Sequence, residues 1–191
     1  STFPVCQVNN ALGREGVPLV MMRDDRYAVA VADATSRLSG GARIGVCTFQ
    51  GGVNAAGLQV AFAGLAQAFE DGSPVLCITD GIPAGATENS QFDVTSALKT
   101  VTKWYGHLDK PERLPEFMRR AFTMLRTGRP GPVVIALPQD MLMDICEVPD
   151  ACCYQVPQPA PTTENVERIA ELLRASRKPL VVVGGSRWSE R

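Results

Sequence analysis

Residues 19–40 read LVMMRDDRYAVAVADATSRLSG. Leu19–Met22 are continuously apolar, the pattern of a parallel strand covered on both faces. Arg23, Asp24 and Asp25 close that run with charge. Ala28, Val31, Ala32 and Thr35 then recur at the spacing of one helix face. The stretch predicts a buried strand, a charged turn and an amphipathic helix ending at Gly40. Asp25 falls at the helix start, where a carboxylate meets the positive end of the helix dipole. Read locally, Asp25 is an N-cap, a position that favours Asp.

The same alternation extends outward. Upstream, Thr2–Gln7 resembles the end of a strand and Asn9–Gly16 a short helix or turn. Downstream, Ala42–Phe49, Val75–Thr79 and Val133–Leu137 are apolar strand-like runs. Between them, Leu58–Glu70, Asp93–Lys99 and Pro111–Arg126 have helical periodicity, and Val101–Tyr105 is short and extended. Gln50–Gly57 (QGGVNAAG) is a Gly- and Ala-rich loop, and Gly81–Asn89 a polar one. This order predicts an α/β fold: a doubly wound, mostly parallel sheet of about six strands with helices on both faces. Asp25 is expected at the C-terminal edge of the second strand.

The composition changes after Cys146. Glu147–Pro161 holds four prolines and no periodicity, the signature of a linker. Thr163 is placed to cap a helix over Glu164–Ser176, and LVVVGG (180–185) has the composition of a buried strand. One helix and one strand cannot bury their own apolar faces. The expected organisation is a domain over 1–146, a linker over 147–163 and the beginning of a second domain over 164–191.

The chain of 191 residues is 45% hydrophobic with a net charge of −1. That balance argues against a nucleic-acid surface or a basic membrane patch. No apolar run reaches membrane-spanning length, and no signal peptide is visible. Of six cysteines, Cys47 and Cys77 lie inside apolar runs as small core residues, and Cys152-Cys153 is poor metal-site spacing. A reducing cytoplasm is the simplest setting. His107, the only histidine, is expected on the surface, so no Ser–His–acid set can be built on it. Lys103, Arg119 and Arg120 are expected as solvated charges or local ion pairs, and Trp104 as a packing anchor.

Several motifs, in order and spacing, resemble thiamine-diphosphate-dependent enzymes of the acetolactate synthase and benzoylformate decarboxylase type. Arg23-Asp24-Asp25 falls on that family's R-H-E, Ala32-Asp33-Ala34 on its A-D-G, and Ser36-Arg37 on its A-R. Ala66–Pro74 (AQAFEDGSP) resembles A-x-A-Y-x-D-S-x-P, and Thr102-Lys103-Trp104 resembles T-K-W. Gly128–Val133 with Leu137–Asp140 resembles G-R-P-G-P-V…P-x-D. The resemblance covers about Phe3 to Gly185, and it places the linker and LVVVGG at the start of the family's central domain.

The resemblance implies a pyrimidine-binding domain that lacks the family's first helix. It assigns Asp25 the catalytic role of the family glutamate, which touches the cofactor's aminopyrimidine ring. Gln50, Gly51 and Gly57 then line the cofactor cleft. The Gln50–Gly57 loop matches neither a P-loop nor G-x-G-x-x-G. The implied cofactor is thiamine diphosphate, with Mg²⁺ held by a G-D-G…N segment on a later domain; this sequence contains no G-D-G. The implied substrate is a 2-oxo acid, decarboxylated or carboligated. The implied assembly is a homodimer or homotetramer, for which the small residues of Ala55–Gly64 offer a close-packing face. On this reading the chain is a fragment, inactive alone. Two alternatives stay open: a non-catalytic relative serving as a structural or regulatory subunit, which Asp25 for Glu and Val60 for Asn favour, and a nucleotide-binding module of doubly wound type.

Overall fold

The computed structural model describes residues 4–52, 56–83, 93–145, 147, 157 and 159–184. In chain order the elements are α1 (Val5–Arg14), α2 (Asp25–Leu38), β1 (Gly45–Phe49), α3 (Ala56–Glu70), β2 (Val75–Gly81), α4 (Val94–Val101), β3 (Trp104–His107), α5 (Leu114–Arg126), β4 (Val133–Pro138) and α6 (Thr163–Ala175). Single 3-10 turns occupy Pro111–Arg113 and Met141–Met143.

The four strands form one parallel sheet in the order β1-β2-β4-β3. The register sets Cys47 beside Cys77, Ile78 beside Ile135, and Gly106 beside Ile135. The two central strands are apolar throughout their middles because both faces are covered. On one face Cys47, Phe49, Val75, Cys77 and Val134 pack with Val29 and Ala32 of α2, Leu58 and Leu65 of α3, and Leu98 of α4. On the other, Leu76, Val133 and Ile135 meet Ala121 and Leu125 of α5. Each large side chain buried this way contributes about 1.5–3 kcal/mol. The doubly wound α/β architecture is the expected one.

Two close approaches fix where α2 lies. Ser36, fully buried, donates to the Pro74 carbonyl at 2.5 Å and accepts from the Gly45 N–H at 2.8 Å. Gly45 leaves no room for a Cβ against the Ala32 backbone. The C-terminal half of α2 is thereby locked to the starts of β1 and β2. Its other end, at Asp25, is delivered to the opposite edge of the sheet.

Several expectations are corrected. Val5–Gln7 are helical rather than the end of a strand, and they form the first turn of α1, which continues to Arg14 as the short helix expected over Asn9–Gly16. Residues 17–22 form no strand: Leu19, Val20 and Met21 are exposed, and Met22 is only half-buried. Their apolar run would need a partner strand, and among the described residues none lies outside β1. Pro18 also lacks the N–H a ladder requires. The described sheet consequently has four strands rather than about six.

Residues 180–183 are likewise exposed, with no strand beside them among the described residues. The cap of α6 is Thr162, which accepts from the Asn165 N–H, rather than Thr163. Within α3, a Cβ on Gly64 would press on Val29 of α2, so this glycine serves packing inside the chain. Lys103 does more than the expected solvated charge or local ion pair: its Nζ donates to the Met124 carbonyl at 2.6 Å and to the Thr127 carbonyl, closing the end of α5. Trp104 packs on Phe117 with ring centroids 5.8 Å apart, and the Arg120 guanidinium lies over it. Most of the expected Gly81–Asn89 loop, most of the linker, and Cys146, Cys152 and Cys153 lie outside the described residues.

Candidate functional site

The C-terminal ends of the parallel strands carry the polar residues. β1 runs into Gln50-Gly51-Gly52, β2 ends on Asp80-Gly81, β4 on Pro138-Gln139, and β3 on His107. In open α/β sheets this edge is where ligands bind.

Asp25 arrives there from α2. Capping falls to its neighbour: Asp24 has extended backbone, and its Oδ1 accepts from the Arg26 N–H at 2.8 Å. Asp25 is the first helical residue, so its carboxylate is left free for another use. That carboxylate is half-buried against the start of α3. A Cβ on Gly57 would collide with Asp25 Oδ2 and lie 2.5 Å from the Gln50 carbonyl and 2.8 Å from the Gln50 nitrogen. The absent side chain is what allows Asp25, Gly57 and the Gln50 backbone to converge. Burial, reinforced by the Asp24 carboxylate, raises the Asp25 pKa above the ordinary aspartate value. The arrangement is a half-buried carboxylate beside the N-terminus of a helix.

Of the four residues singled out in the sequence, the structure brings Asp25, Gln50 and Gly57 together. Gly51 sits one residue further, on the sheet side of the loop. Its N–H donates to Asp80 Oδ1 at 2.8 Å, and Gln139 Nε2 donates to Asp80 Oδ2 at 3.0 Å. Asp80 is only 1% exposed. Sequence reasoning passed over Asp80 and Gln139. The available signal was a carboxylate ending the apolar run VLCIT, at the strand edge where ligands collect. His107 is exposed, as expected, with its imidazole against Gly81. No group of three metal-ligating side chains occurs among the described residues.

The fold is a doubly wound α/β domain whose strand ends gather polar residues, Asp80 among them, beside the half-buried carboxylate of Asp25. The profile of the family described as thiamine pyrophosphate enzyme, N-terminal TPP binding domain, matches residues 4–101. The chain belongs to that family. It is 34% identical over 176 residues to a probable acetolactate synthase large subunit of Methanocaldococcus jannaschii, covering 87% of this chain and 29% of that protein. It is 29% identical over 179 residues to the acetolactate synthase isozyme 3 large subunit of Escherichia coli K12, covering 89% and 30%. With a glyoxylate carboligase of Escherichia coli O157:H7 it shares 31% over 176 residues, covering 89% and 29%. The chain thus spans about 30% of the length of these curated relatives.

Proposed function

We propose that this chain supplies the pyrimidine side of a thiamine diphosphate site in an enzyme that decarboxylates or carboligates 2-oxo acids. The observation that carries the reading is the Asp25 carboxylate, released from capping by Asp24 and pressed against a glycine with no Cβ. When bound, thiamine diphosphate provides the carbanion-forming carbon and the electron sink for the reaction.

Asp25 would hold or share a proton with the aminopyrimidine ring of the bound cofactor, and burial raises its pKa in the direction that suits this role. The Gln50 and Gly51 backbone and Gly57 form the wall that orients the ring. The 2-oxo acid class rests on what the similar proteins are named for, acetolactate synthesis and glyoxylate carboligation.

The same reading divides the chain into a pyrimidine-binding domain over 1–146, a linker over 147–163 and the beginning of a central domain over 164–191. It assigns Mg²⁺ to the diphosphate side, on a domain beyond these residues. It also expects a homodimer or homotetramer, supported by the exposed apolar side chains Leu19, Val20, Met21 and Val46. A cytoplasmic setting accords with the free thiols of Cys6, Cys47 and Cys77.

The test is the rate at which bound thiamine diphosphate exchanges its C2 proton in the full-length protein. Asp25→Asn should slow it by ~10²-fold, the scale of a misplaced or missing catalytic contact. Asp25→Glu, which restores the family's residue, should preserve or raise it. If both variants exchange at the wild-type rate, Asp25 is structural and the chain is a non-catalytic relative.

A further inference from the structure

Asp80 is a buried carboxylate whose two hydrogen-bond partners, the Gly51 N–H and the Gln139 amide, are both neutral. A polar group is costly to bury without hydrogen bonds, and each Asp80 oxygen accepts one. The two partners have different origins. Gly51 belongs to the loop leaving β1, and Gln139 follows β4, so Asp80 ties together the ends of three adjacent strands.

The loop is moulded to this carboxylate. A Cβ on Gly52 would overlap Asp80 Oδ2 and come within 2.9 Å of Gln139 Nε2. A Cβ on Gly51 would strike Thr79 Oγ1, which is buried and unpartnered among the described residues. Two glycines in succession let the backbone lie directly on the Asp80–Gln139 pair. The residue immediately before them, Gln50, has its backbone against Gly57 and so beside Asp25. One turn of chain is therefore held from the sheet side by Asp80 and faces Asp25 on the helix side.

We infer that Asp80 is a positioning residue for the cofactor cleft, acting through the Gly51 N–H to set the Gln50–Gly52 wall against Asp25, with Gln139 as its brace. This rests on the reading of Asp25 as the pyrimidine-side acid. Asp80 does not itself touch the reacting atoms. A displacement of ~1 Å in such a wall is enough to cost ~10²-fold in rate.

Two readouts separate this role from simple packing. The first is amide hydrogen exchange at Gly51 in the cofactor-free protein. The second is C2 proton exchange of bound thiamine diphosphate in the full-length protein. Asp80→Ala should accelerate the first by at least ~10-fold and slow the second by ~10²-fold. Asp80→Asn keeps an oxygen for the Gly51 N–H, and Gln139 can turn its own oxygen to the new amide; it should restore most of both. The inference is overturned if Asp80→Ala leaves C2 exchange at the wild-type rate, whatever happens at Gly51. Where Asp80→Ala does not fold, Gln139→Ala removes the brace alone, and unchanged C2 exchange in that variant overturns the inference equally. Asp25→Asn measured alongside separates the two levels. A slow Asp25→Asn with a normal Asp80→Ala sinks only the Asp80 role, whereas a normal Asp25→Asn sinks the site reading and this inference with it.

Discussion

Gly57→Ala adds one methyl group at the point where Asp25 and the Gln50 backbone converge. The new Cβ would sit 2.5 Å from the Gln50 carbonyl and 2.8 Å from its nitrogen, whereas ordinary contact begins at 3.4 Å. Either α3 or the loop must retreat by about 1 Å, a displacement of the size that costs ~10²-fold in a positioned reaction. Stability should respond far less. Overpacking costs about 1–3 kcal/mol. Alanine in place of glycine within a helix returns up to about 1 kcal/mol. The expected net loss is therefore between about 0 and 3 kcal/mol. The distinguishing result is a folded variant with a modestly lowered melting temperature and C2 proton exchange of bound thiamine diphosphate slowed by ~10²-fold. The reasoning is refuted if Gly57→Ala folds and exchanges at the wild-type rate, for then the convergence of Asp25, Gly57 and Gln50 has no bearing on the chemistry.

Asp25→Asn should raise the melting temperature at pH 7, with the gain shrinking toward roughly pH 4, near the ordinary aspartate pKa. The sign follows from the raised folded-state pKa: the fold disfavours the ionised form, so the stabilising contribution of Asp25 is present below its unfolded pKa and lost as pH rises through the folded one. A gain of equal size at both ends of that range would show that charge is not the cause. Lys103→Met should keep the packed stem and lose the bonds to the Met124 and Thr127 carbonyls. A loss of about 1.5–3 kcal/mol is expected, read as a lower urea midpoint at unchanged slope; an unchanged midpoint would mean those carbonyls need no partner.

The doubly wound fold was legible because central parallel strands advertise themselves: VLCIT and VVIAL can be satisfied only with cover on both faces. The same rule misled at Leu19–Met22 and at Leu180–Val183. An apolar run records that a segment is made to be covered, and it is silent about what covers it. Asp25 stood out as an acid at a helix start, yet the cap is Asp24. Two adjacent aspartates compete for one role, and the choice depends on which backbone is extended. Lys103 lay in a recognisable T-K-W motif, but its carbonyl partners are more than twenty residues away. Asp80 and Gln139 stayed invisible for the same reason: fifty-nine positions separate them, and only the β2–β4 pairing brings them together.

That pairing has a consequence for how the chain is made. β2 is complete once Gly81 has been synthesised, but its neighbour β4 begins only at Val133. At ~5–20 residues per second, β2 waits several seconds with one hydrogen-bonding edge and an apolar face uncovered. During that interval a chaperone, or a strand of a neighbouring nascent chain, can reach the edge first. The stretch between residues 82 and 132 thus acts as a timer, and an insertion in a loop between its elements would lengthen the exposure while leaving α4, β3 and α5 in place.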